Sequence, residues 1–115
     1  MLTLVEKEDL IAALNKWAAK MDNPEIADQF EDYNKTMQFC FPDIDVNLQL
    51  KFDNKTATVV EDFDDNADMN LTVDSELFMG IADGSVDPME AFTEGKLKPK
   101  GDMTDLEKLQ VFMED

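Results

Sequence analysis

The chain has 115 residues, of which 43% are apolar, and its 27 acidic residues against ten lysines give a formal charge of −17. That length is typical of one domain spanning residues 1–115. Nucleic-acid-binding proteins neutralise phosphates with Lys and Arg, so no nucleic-acid partner is expected. The sequence contains no His and no Arg, which excludes Ser-His-Asp and Cys-His catalysis within this chain as well as arginine-based phosphate recognition.

The remaining composition indicates a soluble folded protein. Eight Phe and eight Met are far more than a disordered acidic chain contains. Cys40 is the only cysteine, so an internal disulfide is impossible and a reducing compartment is favoured. The sequence lacks an apolar run long enough for a membrane span and begins without a basic signal region. We therefore expect a cytoplasmic location and no cofactor.

Helical periodicity marks the first part of the chain. Thr3 and Glu6 have the spacing of a capping box, which predicts a helix over residues 4–21. The sequence Asn23-Pro24-Glu25 starts a second helix, with Asn at the cap and Pro at the first helical position. The first helix carries an apolar face formed by Leu10, Ile11, Leu14, Trp17, Ala18 and Met21.

The periodicity then changes from that of helices to that of strands. Apolar and polar residues alternate over 37–41, 46–52 and 69–73, while residues 56–63 are rich in Thr and Val. Short connections between these four segments favour an antiparallel meander with one apolar face.

Helices return in the second half of the chain. Asp74 or Ser75 caps a helix over residues 76–82 that Gly84 ends, and Asp87-Pro88 starts another that Gly95 ends. Residues 96–100 form a short extended piece, and a last helix runs towards the chain end. Helices, then strands, then helices predict an α+β fold with helices on one face of the sheet.

Two polar features invite a chemical interpretation. Asp62, Asp64, Asn66 and Asp68 have the spacing of calcium-loop ligands, but Ala67 replaces the glycine and Val73 the bidentate glutamate of such a loop. A solvated acidic turn is the favoured interpretation, with a weak cation site or metal buffer as the alternative. Cys40 has no His or Arg to stabilise its thiolate and is interpreted as a structural thiol.

Residues 77–103 carry a family resemblance. A helix is followed by Gly84 to Pro88, by the Ala91-Phe92 pair and by the Gly95 to Met103 segment, and Lys108-Leu109-Gln110 comes later. This succession resembles the sterol carrier protein 2 family. The resemblance implies a five-stranded, mostly antiparallel sheet covered on one face by helices, with an apolar tunnel for lipids between them. The extended piece at 96–100 would be the fifth strand.

The resemblance also implies which residues line that tunnel. They are apolar side chains on three helices of the second half, together with one polar glutamine, Gln110, that could meet a ligand hydroxyl or carboxyl group. The implied tunnel residues are Phe78, Met79, Ile81, Met89, Phe92, Leu106, Leu109, Gln110 and Met113.

The resulting functional hypothesis is non-enzymatic binding, with or without transfer, of a fatty acyl, isoprenoid or sterol-like lipid. The alternative is an accessory module with a closed cavity that binds a protein partner, itself or a lipid-pathway enzyme. A charge of −17 repels anionic lipid surfaces, so any membrane contact should be weak and transient.

Overall fold

A computed structural model describes residues 5–101 and begins with helix α1, Lys7–Ala19. Glu6 is in extended conformation and caps this helix, and its N–H donates to Oδ2 of Asp9 at 3.0 Å. The predicted start at residue 4 is therefore wrong by three residues, because the capping box is built from Glu6 and Asp9. Thr3, the predicted cap, lies outside the described residues. The part of the chain that is described contains no helix long and apolar enough to cross a bilayer.

The buried side of α1 agrees with the predicted apolar face. Leu10 and Leu14 are fully buried, and Trp17 is 2% exposed. A 3-10 turn, Lys20–Asp22, follows and buries Met21. The short helix α2, Pro24–Ala27, begins as predicted, with Oδ1 of Asn23 accepting a hydrogen bond from the N–H of Glu25.

A five-stranded mixed sheet forms the second layer. Its strands are β1 (Thr36–Phe41), β2 (Val46–Asp53), β3 (Thr56–Val60), β4 (Met69–Thr72) and β5 (Lys98–Gly101). Their order across the sheet is β3-β2-β1-β4-β5, and every neighbouring pair is antiparallel except β1 and β4. The predicted meander is therefore wrong: β4 lies on the far side of β1 and parallel to it.

The two faces of the sheet differ in chemistry. We call the first the apolar face; its side chains are at most 3% exposed and are Met37, Phe39, Phe41, Leu48, Leu50, Phe52, Met69 and Leu71. The opposite, polar face carries Gln38 on β1, which pairs in register with Gln49 on β2 and Asn70 on β4. The apolar face packs against the helices, as the alternating pattern predicts.

The chain reaches β4 through residues 61–68, which we call the crossing segment, and Gln38 fastens this segment to the polar face. The Gln38 Oε1 accepts from the N–H of Asp64 at 2.7 Å and from Nε2 of Gln49 at 2.9 Å. Its Nε2 donates to the backbone oxygen of Asp64 at 3.0 Å and to Oδ1 of Asn70 at 2.8 Å. All the hydrogen-bonding capacity of this buried amide is thus used.

The acidic residues of the crossing segment accept backbone hydrogen bonds, one from β1 and one from within the segment. Oδ2 of Asp68 accepts from the N–H of Thr36 at 2.9 Å, and Oδ1 of Asp64 accepts from the N–H of Asn66. Within residues 5–101, no group of three or more acidic or Cys side chains is arranged to hold a metal ion.

The two later helices and the last strand agree with the sequence signals. Helix α3, Ser75–Asp83, ends at Gly84, whose φ of 86° is the left-handed conformation that glycine favours. Helix α4, Pro88–Thr93, is capped by Oδ1 of Asp87. Strand β5 lies at the sheet edge, where Pro99 is tolerated because an edge position needs no second ladder donor. The predicted last helix lies outside the described residues.

A carboxylate in the β1–β2 turn holds the start of α3. Oδ1 of Asp43 accepts from the N–H of Ser75 at 3.0 Å, and Oδ2 accepts from the hydroxyl of Ser75 at 2.6 Å.

We expect Asp43→Ala to lower the free energy of unfolding by about 1–2 kcal/mol, because the buried Ser75 loses both partners. Urea denaturation measures this. Asp65→Ala, an exposed position in the crossing segment, is the matched control and should change stability by less than about 0.5 kcal/mol. Equal effects of the two substitutions would contradict the assignment.

Candidate functional site

A groove of about 500 Å³ lies between α1 and α3. Its wall combines apolar and charged side chains from one stripe of each helix, namely Asp9, Ala12, Ala13, Lys16, Trp17, Lys20, Met79, Ala82 and Asp83. The space exists because three of the residues facing it are alanines. A volume of this size falls within the range of pockets that hold small organic ligands.

The floor of the groove is continuous with the interior between helices and sheet. Trp17 lines the groove, and its ring centroid lies 5.2 Å from that of Phe78 and 6.3 Å from that of Phe39. Phe39 is at the centre of the apolar face, in register with Leu48 and Leu71. The indole of Trp17 is therefore the one ring that lies between the groove and the aromatic rings of the core.

Aromatic rings fill the interior beneath Trp17. Phe78 lies 5.5 Å from Phe39 and 5.3 Å from Phe41, both in edge-to-face geometry. Near the start of β1, Phe30 stacks on Phe52 at 5.0 Å. Within residues 5–101, these rings belong to one core cluster between the helices and the sheet.

The structure separates the predicted site residues into three environments. Phe78 and Ile81 on α3 are buried, whereas Met79 on the same helix lines the groove. On α4, Phe92 is partly buried against the core and Met89 is 37% exposed. The remaining predicted residues lie outside the described part of the chain; they are Leu106, Leu109, Gln110 and Met113.

The sequence patterns do not predict the contribution of α1 to the groove. Ala12, Ala13 and Trp17 face α3, yet the apolar pattern of α1 predicts only burial against a core. The available signal was a pair of small residues one turn before the single Trp, which leaves room beside a large ring.

The charged groups at the groove are two carboxylates and two lysines. Asp9 is part of the α1 cap, and Oδ1 of Asp83 accepts from the N–H of Ser85 at 2.8 Å. Hydrogen bonds from the Ser85 hydroxyl and backbone lower the pKa of Asp83, so this side chain stays ionised. Lys16 lies in the last turn of α1, and Lys20 begins the 3-10 turn that follows it.

A second, smaller cavity of about 280 Å³ lies beside α3 and α4. Its wall includes three acidic side chains, Asp87, Glu90 and Glu94, next to Leu77 and Ala91. This acidic composition suits an apolar ligand less well than the groove between α1 and α3.

Cys40 lies on the polar face, away from the groove, and its Sγ donates to Oδ1 of Asn70 at 3.2 Å. Burial raises the pKa of the thiol, against a smaller opposing effect of that hydrogen bond. The reactive thiolate is therefore scarce at neutral pH.

We expect iodoacetamide to alkylate Cys40 more slowly in the folded protein than in urea. The pH at which the alkylation rate is half-maximal should also be higher for the folded protein. Mass spectrometry over a pH series measures both rates, and equal midpoints would contradict the assignment.

Comparison with known proteins identifies relatives of this chain. The model of the SCP-2 sterol transfer family matches residues 14–114. A curated relative, the peroxisomal multifunctional enzyme type 2 of Mus musculus, is 36% identical over 50 residues. The match covers 44% of this chain but only 7% of that enzyme, so the chain spans a small part of its relative's length.

Solved structures share the fold at lower sequence identity. The sterol carrier protein domain 2 of Helicoverpa armigera has a TM-score of 0.72 and 18% identity, covering 97% of this chain and 92% of that one. A double mutant of the sec-alkyl sulfatase PisA1, an enzyme from Pseudomonas sp., also has a TM-score of 0.72, with 21% identity, and the match covers 94% of this chain and 16% of the sulfatase. Palmitated SCP2L2 from Aedes aegypti has a TM-score of 0.62 and 18% identity, covering 90% and 92% of the two chains.

Proposed function

Because this chain belongs to the SCP-2 sterol transfer family, we propose that it binds a single-chain lipid in the groove between α1 and α3. The observation that carries this proposal is the floor of the groove, where Trp17 connects the open surface to Phe39 on the apolar face. In the proposed complex the acyl chain lies along Ala12, Ala13 and Met79. The domain acts as a carrier or a presenting module and is not itself the catalyst.

The energetics of burial support such binding. Each methylene that leaves water gains about 0.8 kcal/mol, so an acyl chain of about 16 carbons gains roughly 13 kcal/mol before costs. Association and ordering cost about 4–15 kcal/mol, which leaves room for affinities from micromolar to nanomolar. The name of one structural relative records palmitate on a protein of the same fold, which supports a fatty acyl ligand here.

The proposal extends to the predicted tunnel residues. Opening the groove inwards requires the ring of Trp17 to move, and the chain would then contact Phe78 and Ile81 under α3. Leu106, Leu109, Gln110 and Met113, implied by the family resemblance, are the proposed remaining wall. Cytoplasmic binding also belongs to the proposal, since Cys40 favours a reducing compartment.

The test uses an alanine at the edge of the groove. Ala12 is exposed, so Ala12→Phe adds a ring to the groove without overfilling the core. We expect this change to weaken palmitate binding about tenfold, corresponding to about 1.4 kcal/mol. The emission of Trp17, the only tryptophan, reports binding during a titration with palmitate.

Asn15→Phe is the matched control, because Asn15 is exposed on the same helix and does not line the groove. It should bind palmitate within about twofold of the wild-type protein, as expected of a surface change without contact to the site. Equal affinities of the Ala12→Phe and wild-type proteins would contradict this location of the site. A wild-type protein that binds no palmitate, and that carries no lipid in native mass spectrometry, would contradict the function.

The closed-cavity alternative has its own supporting observation. Between α3 and the sheet the rings of Phe39, Phe41 and Phe78 pack together. Such packing is expected of a domain that binds a protein and has no lipid cavity. The matched segments are also only 7% and 16% of two larger enzymes, consistent with an accessory module. Stoichiometric capture of one specific protein by lipid-free material, with no response to palmitate, would favour this alternative.

A further inference from the structure

The edge of the sheet at β3 is open. Strand β3 is the first in the sheet order and pairs on one side only, with β2. The N–H of Phe52 on β2 donates at 2.9 Å to the backbone oxygen of Lys35, which precedes β1. Ala57 lies opposite Phe52, so its N–H and carbonyl oxygen point away from β2, and alternation along the strand gives Val59 the same orientation. Within residues 5–101, no strand pairs with these outward-facing groups.

The two edges of the sheet differ in their protection against further pairing. Native edge strands are usually protected by Lys, by Pro or by strong twist. Strand β5, at the opposite edge, has Lys98, Pro99 and Lys100. Strand β3 has neither a charged residue nor Pro, and four of its five residues are the β-branched Thr and Val that favour strands. The edge of β3 is therefore suited to an extended segment whose backbone continues the hydrogen-bonding ladder.

The charges around β3 favour a basic segment. At the start of the strand, the hydrogen bond and charge of Asp28 raise the pKa of Lys55, and two other carboxylates act in the same direction. That end therefore has more negative than positive groups. At the other end, the crossing segment has five acidic residues and no lysine, and one of the five forms an ion pair with Lys7 at 3.2 Å. A second copy of this chain, with its charge of −17, would be repelled by such an edge.

From these observations we infer that β3 is a docking site for a partner protein, which adds an extended segment rich in Lys and β-branched residues as a sixth strand. The backbone of that segment pairs with Ala57 and Val59, and its lysines lie beside the acidic groups at the two ends of β3. Among the residues that the structure describes, the wall of the groove between α1 and α3 includes none from β3, so this inference does not depend on lipid binding.

Three capped peptides of equal length test the inference by NMR titration of the isotope-labelled protein. The basic probe is Lys-Lys-Thr-Val-Thr-Val-Thr-Lys-Lys, the acidic probe has Glu in place of every Lys, and the third has Pro in place of the central Val-Thr-Val. The basic probe should shift the amides of Ala57 and Val59 and slow their exchange with solvent, because their N–H groups gain acceptors. At low salt it should bind about tenfold more tightly than either other probe, since only it offers both complementary charge and free backbone donors. Added NaCl should weaken its binding.

Matched variants locate the binding on β3. Ala57→Pro removes an outward-facing N–H without losing a bond to β2, and it should weaken binding of the basic probe about fivefold. Ala57→Ser retains that N–H and should bind within about twofold of the wild-type protein. Thr58→Lys gives the exposed edge the kind of charge that β5 has, and it should weaken binding about threefold. Thr93→Lys makes the same change at an exposed position on α4 and should stay within about twofold of the wild type.

Each remaining outcome would overturn the inference. Failure of the basic probe to bind at millimolar concentration, equal affinities for the basic and acidic probes, or shift changes confined to other strands would show that β3 is not such a site. Shifts of the Ala57 and Val59 amides that depend on protein concentration, without any peptide, would assign the edge to a second copy of this chain. Circular dichroism tests whether each variant is folded, and if Ala57→Pro is not, the comparison of Thr58→Lys with Thr93→Lys decides.

Discussion

Phe78→Ala is expected to lower the free energy of unfolding by about 3–5 kcal/mol, the usual cost of removing a fully buried phenyl ring. Phe78 contacts three other rings, those of Trp17, Phe39 and Phe41, so its loss leaves a cavity between α3 and the sheet. Urea denaturation followed by far-ultraviolet circular dichroism measures the change.

Met89→Ala is the control for this prediction. Met89 is also an apolar helical residue of the predicted site, but it is 37% exposed on α4 and should change stability by no more than about 0.5 kcal/mol. A loss of under about 1 kcal/mol for Phe78→Ala, below the usual range for a buried phenyl ring, would show that the interior around α3 is loosely packed. In that case the tunnel implied by the family resemblance would be open without any movement of Trp17.

Gln38→Ala is expected to cost about 2–3 kcal/mol, because it leaves several polar groups at a buried position without a partner. The N–H and backbone oxygen of Asp64 lose the side chain that fastens the crossing segment, and Nε2 of Gln49 loses its acceptor. Gln29→Ala is the control, since Gln29 is an exposed glutamine bonded to the backbone oxygen of Glu25, and it should cost less than about 0.5 kcal/mol.

Gln38→Glu separates hydrogen bonding from shape. A carboxylate at this position would point an acceptor at the Asp64 oxygen and at Oδ1 of Asn70, which favours the neutral acid. The folded pKa of the introduced acid should exceed its unfolded value, so this variant should lose stability as the pH rises through the carboxyl range. Denaturation at a series of pH values measures this. A pH-independent difference from the wild-type protein would contradict the arrangement of the Gln38 amide.

Local signals predicted the elements of this fold well, because capping and alternation act over a few residues. Asn23 caps α2, Asp87 caps α4, and Gly84 ends α3, each as its residue type requires. The alternating pattern of 46–52 places Leu48 and Leu50 on one face, as observed. Residues 56–63 proved shorter as a strand, since β3 ends at Val60 and the chain then leaves the sheet edge.

The strand order was beyond the local signals. Alternation places Gln38 on the polar face, where a glutamine is expected to be solvated, yet it is 1% exposed and binds the crossing segment. That segment takes the chain past β2 and β1, so β4 pairs with the far edge of β1. The alternation of residues along one strand does not indicate which distant segment of the chain packs against that strand.

The candidate site was predicted only in part, because its two walls come from distant parts of the chain. The resemblance over residues 77–103 implied α3, and Met79 does line the groove. The opposite wall comes from α1, more than 50 residues earlier in the chain, and its Ala12 and Ala13 carry no individual functional signal. A groove between two helices depends on which small residues face each other, and tertiary packing decides that.

The most direct test of a lipid-binding groove is an NMR titration of the isotope-labelled protein with palmitate. Binding in the groove should change the shifts of the amides of Ala12, Ala13 and Ala82, with contacts between the ligand methylenes and the methyl group of Met79 or the indole of Trp17. Amides on the polar face, such as that of Cys40, should change little. No shift changes on saturation with palmitate, or changes confined to the cavity beside α4, would contradict lipid binding in the groove between α1 and α3.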